Sequence, residues 1–218
     1  MKFATEFEPS VYRMQAKRII TNLDSRNMNG YYYDSVEEAI QSVVDLIPEG
    51  ATVGLGGSTT LLQCGLLDRL RTLPITLYDR YKEGISKEEI NDMRTKSLIA
   101  DVFIASTNAL TLDGQLVNVD GIGNRVAAMI NGPKKVILFA GVNKIVDSIE
   151  SGFERIHMQT GPINVQRFGA DTPCRDTGIC EREVCRAPKS ICNKYVVIEG
   201  EWDKDRMHVV IVGESFGF

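Results

Sequence analysis

Two polar stretches of this chain carry residue types that could hold and act on an anion. The first is a glycine turn between a short β-prone run and a helical segment, and its candidate ligand residues are Gly56, Gly57, Ser58 and Thr59. Glycines let the backbone approach a ligand closely, and unpaired amides at a helix start face it, so the turn predicts phosphate or carboxylate binding. A plain tight turn explains the same residues, since neither a complete Walker A motif nor a complete dinucleotide fingerprint is present.

The second stretch, residues 107–141, concentrates Asn, Asp, Gly and Arg between apolar runs. Its two acids are candidates for general acid–base catalysis, and four other side chains are candidates for ligand contacts. The acids are Asp113 and Asp120, and the candidate contacts are Asn108, Asn118, Asn124 and Arg125. Each has a simpler explanation, since Asn and Asp favour turns and Arg at a helix start is commonly solvated. Asp113-Gly114 in particular is a strong hairpin turn.

Two further basic side chains follow this stretch. Lys144 could neutralise an anionic ligand or pair with a surface acid such as Asp147, and both interpretations stay open. His157 is a lone histidine that could bind a metal, but a position on a helix surface explains it more simply.

Four of the five cysteines lie within nineteen residues of one another: Cys174, Cys180, Cys185 and Cys192. Four thiolates can close a tetrahedral zinc site or hold an iron–sulfur cluster. The spacing C-x5-C-x4-C-x6-C contains no C-x2-C knuckle, so buried or free thiols and a redox-switchable disulfide remain alternatives. The cofactor is therefore unknown from the sequence, with zinc and an iron–sulfur cluster as the candidates.

Helical and strand patterns alternate along the chain. The predicted helices and strands must hold the candidate site residues in position. The expected helices cover residues 9–29, 36–47, 61–70, 86–99 and 126–130, and the expected strands cover residues 51–55, 74–78, 102–105 and 135–141. This alternation predicts an α/β fold with a mostly parallel, Rossmann-like sheet. Open sheets of this kind bind ligands beyond the C-terminal ends of their strands, where both polar stretches fall.

The same patterns suggest how the chain is divided. We expect an N-terminal helix within residues 1–30, packed on a single α/β domain that covers residues 31–218. Within that domain we expect a cysteine-rich loop at residues 171–193 and a terminal antiparallel hairpin at residues 194–213.

Composition excludes two classes of partner. The net charge is −4 and the Lys and Arg residues are spread along the chain, so nucleic acid is not an expected partner. The sequence contains no apolar run long enough for a signal peptide or a membrane span. We therefore expect a cytoplasmic protein without a membrane partner.

Four segments resemble the LUD-domain family, the lactate-utilization proteins formerly filed as a domain of unknown function. They are GLGGSTT, STNALTLDGQLVNVDGIGNRVAAMINGPKKVILFAGVNKIV, GPINVQRFGADTPCRDTGIC and RMHVVIVGESFGF. The resemblance runs from about Met14 to the end of the chain. It implies the fold of the ribose-5-phosphate isomerase, glucosamine-6-phosphate deaminase and CoA-transferase superfamily, whose glycine turn and strand-end loops hold a sugar phosphate or a CoA thioester. Related sequences often space the middle cysteine pair as C-x2-C, whereas four residues separate Cys180 from Cys185 here.

The resemblance implies a role in lactate or organic-acid utilization and leaves three functions open. One is an enzyme of the isomerase or CoA-transferase type, although no counterpart of the isomerases' catalytic base or of the transferases' nucleophilic glutamate is found. Another is a subunit of a lactate oxidoreductase that works with iron–sulfur oxidoreductase partners. The third is a ligand sensor without catalysis. The expected ligand is a small anionic metabolite with a phosphate, carboxylate or CoA thioester, and the expected assembly is a homodimer, as is common in this superfamily.

Overall fold

A six-stranded sheet organises the chain, which a computed structural model describes from residue 7 to residue 218. The first six residues of the expected N-terminal segment 1–30 lie outside the described residues. Every pair of neighbouring strands in this sheet is parallel. The spatial order is β1 (Asn29–Tyr33), β10 (Met207–Val212), β7 (Lys135–Gly141), β4 (Val102–Ala105), β2 (Thr52–Leu55) and β3 (Thr76–Tyr78). The predicted α/β fold with a mostly parallel sheet is confirmed.

A smaller sheet contains β8 (Ile145–Val146), β5 (Ala109–Thr111), β6 (Leu116–Asp120) and β9 (Lys194–Ile198), in that order. The terminal hairpin predicted at residues 194–213 is wrong. β9 pairs with β6 in the small sheet, whereas β10 lies between β1 and β7 in the large one. All six residues of β10 are buried, and such a strand needs cover on both faces, which the middle of a parallel sheet provides.

Helices cover both faces of the large sheet, and further helices pack on the small sheet and on one another. They are α1 (Glu8–Ser25), α2 (Val36–Asp45), α3 (Thr59–Gln63), α4 (Leu66–Leu70), α5 (Lys87–Ser97), α6 (Asn124–Ile130), α7 (Ile149–Arg155), α8 (Gly161–Phe168) and α9 (Pro173–Thr177). A π-helical turn, Ile156–Thr160, joins α7 to α8. The starts of α2 and α5 follow their serine caps, since Ser35 and Ser86 accept hydrogen bonds from the amides of Glu38 and Glu89. Residues 61–70, predicted as one helix, form parts of two, because Gly65 adopts φ +80° between them.

Alternate residues of the central strands face two separate apolar layers. In β4, Phe103 packs with α1, α6 and the small sheet, while Val102 and Ile104 pack with α2, α3 and α4. Phe103 is fully buried, and replacing such a side chain by Ala typically costs about 3–5 kcal/mol. Because both layers hold the strands firmly, the positions of the strand ends are fixed. Among residues 7–218, no helix combines the length and the apolar character that a bilayer crossing requires.

The connections of the large sheet reverse direction between β2 and β4. From β2 the chain proceeds to β3 on one side, and from β4 it reaches β7 on the other. Such a reversal leaves a crevice outside the C-terminal strand ends, which is where open α/β sheets bind ligands. Residues 56–60 follow β2, residues 106–108 follow β4, and residues 142–144 follow β7 at this crevice.

Candidate functional site

A small polar cleft lies where β2, β4 and β7 end side by side. Its volume is about 40 Å³. Residues 57–60, residues 106–108 and Lys144 supply one part of its wall, and Asn164 and Arg167 from α8 supply another. The cleft therefore combines the two polar stretches that the sequence singles out with a helix that it does not.

Lys144 is the buried cation of this cleft, with 3% of its surface exposed. Its Nζ donates hydrogen bonds to Thr60 Oγ1 at 2.9 Å, to Ser106 Oγ at 2.9 Å and to the carbonyl oxygen of Thr107 at 3.2 Å. Within residues 7–218, Lys144 forms no ion pair, so the predicted alternative of a pair with Asp147 is not formed.

Burial, together with the nearby guanidinium groups of Arg155 and Arg125, lowers the pKa of Lys144 to about 7. Both charge states of the amine are therefore accessible near neutral pH. A lysine with such a pKa can attract an anion in one state and accept a proton in the other, which is a common property of functional sites.

Arg125 ties the end of β4 to β6 behind the cleft. Its Nη1 donates to the carbonyl oxygen of Ser106 at 3.0 Å and to Asn118 Oδ1 at 2.6 Å. Its Nη2 donates to Asn108 Oδ1 at 2.9 Å and to the carbonyl oxygen of Val119 at 3.0 Å. The guanidinium is buried instead of solvated, so its main effect is to fix the shape of the site.

The two acids predicted as catalysts lie in different places. Asp120 is 3.6 Å from Arg125 Nε through its Oδ2, and its Oδ1 accepts a hydrogen bond from the amide of Gly123 at 3.2 Å. Asp113 is more than half exposed at the tip between β5 and β6, and its carboxylate pairs with Arg18 on α1 at 2.8 Å. The structure thus brings Asp120 to the back of the cleft and leaves Asp113 outside it.

The glycine turn presents both backbone amides and side-chain hydroxyls near the cleft. The amide of Gly56 donates to the carbonyl oxygen of Ile104 at 2.9 Å, and the amide of Ser58 donates to Tyr81 Oη at 2.7 Å. These two groups are therefore already paired. Thr59 Oγ1, in contrast, is buried at the cleft and has no hydrogen-bond partner within residues 7–218.

The candidate contacts separate into two groups. Asn108 and Arg125 line the cleft together with Lys144, whereas Asn118 is fully buried behind Arg125. Asn124 is the first residue of α6, half-buried, and lies outside the cleft wall. The candidates that line the cleft are Gly57, Ser58, Thr59, Asn108, Arg125 and Lys144, and the candidates that do not are Gly56, Asn118, Asn124, Asp113 and Asp120.

Four arginines that the sequence did not single out surround this site: Arg80, Arg94, Arg155 and Arg167. Burial lowers the pKa of Arg94 and of Arg167, and the charge of Arg80 lowers both further. Arg155 Nη1 donates to the carbonyl oxygen of Asn108 at 2.9 Å, while its buried Nη2 has no partner within the described chain. None of the four forms an ion pair among residues 7–218. The cleft therefore carries an excess of positive charge.

A second cavity, of about 700 Å³, contains all four clustered cysteines in its wall. Cys174 lies in α9, Cys180 and Cys185 lie in the loop after it, and Cys192 lies just before β9. No disulfide joins them. Burial, together with the neighbouring thiols, raises the pKa of Cys192 to about 12, so this thiol is uncharged at neutral pH.

His157 faces this cysteine cavity and not solvent. Only 7% of its surface is exposed, and its Nδ1 lies 3.5 Å from Cys180 Sγ. The prediction of a helix-surface histidine is therefore wrong, because the π-helical turn directs this side chain inward. Within residues 7–218, no three His, Cys, Asp or Glu side chains are grouped closely enough to hold a single metal ion.

A comparison with models of known protein families identifies the family of this chain. The model of the LUD domain matches residues 16–212. The chain belongs to the LUD domain family. This membership links the LUD-domain protein to lactate utilization at a general level, as the motifs predicted. No curated protein sequence matches it significantly.

Two solved structures are similar to this LUD-domain protein. One is a DUF162 family protein from Deinococcus radiodurans, 13% identical, with 94% of this chain and 98% of that chain covered and a TM-score of 0.46. The other is eIF2B delta from Chaetomium thermophilum, 19% identical, with 65% and 54% covered and a TM-score of 0.34. Neither similarity is close enough to suggest a function.

Proposed function

We propose that this LUD-domain protein binds the carboxylate of a small organic acid in the cleft at Lys144, as part of lactate or organic-acid utilization. One observation carries the proposal. The buried ammonium of Lys144 has no carboxylate partner within residues 7–218, and the arginines around it carry the same charge. Burying an unpaired cation costs several kcal/mol, and a bound anion offsets that cost.

The hydroxyl groups around Lys144 suit an anionic ligand. Thr60 and Ser106 each accept a hydrogen bond from Nζ, and each keeps a proton to donate. That proton is now used in long bonds, at 3.4 Å from Thr60 Oγ1 to the carbonyl oxygen of Phe216 and at 3.3 Å from Ser106 Oγ to that of Thr107. A carboxylate oxygen is a stronger acceptor than either carbonyl. The unpartnered hydroxyl of Thr59 supplies a third donor.

The size of the cleft favours a small acid over a nucleotide-bearing one. A volume of about 40 Å³ accommodates a carboxylate and a few adjacent atoms, since one water needs at least roughly 10–15 Å³ measured in the same way. Lactate and pyruvate have this size, whereas most of a CoA thioester or a sugar phosphate would extend outside the cleft. We therefore expect the anion and its neighbouring oxygen to be the groups that the protein recognises.

The test compares the binding of several classes of ligand, and then the affinity of two lysine variants for the best one. A ligand that binds only the folded state must raise the melting temperature, so a thermal-shift panel of lactate, pyruvate, other short acids, sugar phosphates and CoA thioesters identifies the class. Isothermal titration of the best acid should then show at least a roughly tenfold weaker affinity for Lys144→Met, equivalent to about 1.4 kcal/mol. Lys134→Met is the matched control, because Lys134 is exposed and pairs with Asp101 away from the cleft.

Two results contradict the proposal. One is a panel in which no small acid raises the melting temperature. The other is a Lys144→Met protein that binds the acid as tightly as the wild type does. Circular dichroism and melting temperatures of the unliganded variants show that both are folded, so a weaker affinity of Lys144→Met is then due to the lost ammonium group and not to unfolding.

A further inference from the structure

The wall of the cysteine cavity contains four thiols, of which Cys174 is buried and Cys192 also packs against apolar side chains of the small sheet. They come from α9, from the loop at residues 178–193 and from the segment before β9, and all four face the same space. None is in a disulfide. Cys64, the remaining cysteine, is buried beside α3 and does not line this cavity. The clustering of four thiols around one space therefore calls for an occupant that binds sulfur.

The arrangement distinguishes between the two inorganic occupants that four cysteines can hold. In a mononuclear zinc site the Zn–S bonds are about 2.3 Å, which brings the sulfurs to within roughly 3.8 Å of one another. No such close group of three ligands exists among residues 7–218. An iron–sulfur cluster places its own iron and sulfide atoms between the cysteines, so its ligand sulfurs lie farther apart around a larger space. The cavity of about 700 Å³ has ample room for such a core.

The surroundings of the cavity suit an anionic cluster. A cluster with four thiolate ligands carries net negative charge, and the wall contains two arginines, Arg182 and Arg186, against one acid, Glu183. His157 is 3.5 Å from Cys180 Sγ, where it can donate a hydrogen bond to sulfur. Such hydrogen bonds, charges and shielding from solvent are the features by which proteins adjust bound clusters. Pro162 and Val165 of α8 form an apolar back wall.

The loop at residues 178–193 has no regular secondary structure and little apolar packing of its own. Residues 178–193 contain no helix or strand, and two of their apolar side chains, Ile179 and Val184, are 60% and 65% exposed. Segments that cannot bury an apolar core are commonly held by metal ligation, whose binding energy becomes folding energy. A bound cluster would thus supply the cross-links that the loop does not obtain from packing.

We propose that Cys174, Cys180, Cys185 and Cys192 are the four ligands of an iron–sulfur cluster that occupies this cavity. The inference does not depend on the organic-acid site, since it uses none of the residues of that cleft.

The experiment uses the full chain, produced and handled without oxygen and then supplied with ferric iron, sulfide and a thiol, which reduces part of the iron. Iron and acid-labile sulfide are measured after removal of the excess, together with visible absorption and electron paramagnetic resonance before and after reduction. The wild type should retain iron and sulfide in equal amounts, with the absorption of a cluster. Each of Cys174→Ser, Cys180→Ser, Cys185→Ser and Cys192→Ser should lose most of both, at least severalfold. Cys64→Ser is the matched control and should retain them.

Thiol labelling provides a measurement that needs no variant. In the loaded wild type, mass spectrometry after alkylation should find the four cavity cysteines protected, and a chelator should make them reactive again. The inference is overturned by wild-type protein that retains no iron and sulfide, by stoichiometric zinc bound through the same cysteines in place of iron, or by a cluster that survives all four serine substitutions.

Discussion

The two cavities of this protein lie on either side of α8 and differ in how complete they are. The cleft at Lys144 is built from the ends of three neighbouring parallel strands, and Arg125 fixes it with hydrogen bonds at 2.6–3.0 Å. The cysteine cavity is built mainly from an irregular loop, and no disulfide joins its thiols. The first is held in shape by a network of hydrogen bonds between buried groups, whereas the second is lined by a loop without regular secondary structure. The difference can be tested through charge, pH and proteolysis.

The largest expected effect is on the cleft framework. Arg125→Met should lower the free energy of unfolding by about 3–5 kcal/mol, because it leaves several buried acceptors and the carboxylate of Asp120 unpaired. Arg182→Met, in the wall of the cysteine cavity, should cost less than about 1 kcal/mol, since that side chain is exposed. Urea denaturation of both variants measures the contrast. Equal losses would show that the two regions are equally rigid.

A smaller effect should follow from the charge of Lys144. The ordinary pKa of a lysine is 10.5, and burial lowers that of Lys144 to about 7 in the folded protein. Between pH 7 and 10.5 the unfolded chain therefore keeps a proton that the folded chain has released. Because the unfolded state binds more protons, the free energy of unfolding must rise with pH in this window, by up to about 1.4 kcal/mol for each pH unit.

The measurement is the difference in unfolding free energy between wild type and Lys144→Met from pH 6 to pH 10. The wild type should gain stability relative to this variant as the pH rises above 7, and the difference should be constant below that pH. Lys134→Met should follow the wild type, since its ion pair with Asp101 raises the pKa of Lys134 and keeps it charged throughout. A flat difference for Lys144→Met would show that Lys144 stays charged in the folded protein.

The smallest effect concerns the cysteine loop. Trypsin should cut metal-free protein after Arg182 or Arg186, both of which are exposed. Reconstitution with iron and sulfide should slow these cuts at least about tenfold, because a ligand that binds the ordered loop reduces the population of opened forms. Cleavage elsewhere in the chain should change little. Equal cutting of the loop in both preparations would contradict the view that this region is incomplete without an occupant.

Much of the fold was predictable because it depends on local signals. The helices α2 and α5 follow their serine caps and apolar spacing, and the buried strands β4 and β7 follow their apolar runs. The partner of a strand is not a local property, and for this reason β9 and β10 were paired wrongly. The available signal is the continuous apolar run of residues 209–212, which is typical of a strand buried on both faces.

The residues that meet in the cleft also depend on contacts between distant parts of the sequence. Lys144 was a candidate from the sequence, but Thr60 and Ser106, which it contacts, lie 84 and 38 residues away. Only the order of β2, β4 and β7 brings these hydroxyls together, and spacing along the chain does not reveal that order. Asp113 was a candidate because acids are suited to catalysis, yet its pairing with Arg18 on α1 belongs to the packing of the hairpin. The four cysteines were recognised as a group, and only the structure shows that they face one space.

The position of β10 has a consequence for how this protein is made. β10 joins β1 to β7, so the first strand in the sequence remains without a partner until residues 207–212 have been synthesised. During translation, β7 must therefore leave the ribosome with one edge open and several apolar side chains uncovered. Exposed strand edges promote association between chains, and sheets with distant pairings fold slowly. Nascent chains that stop before residue 207 should thus be the forms that most need chaperones.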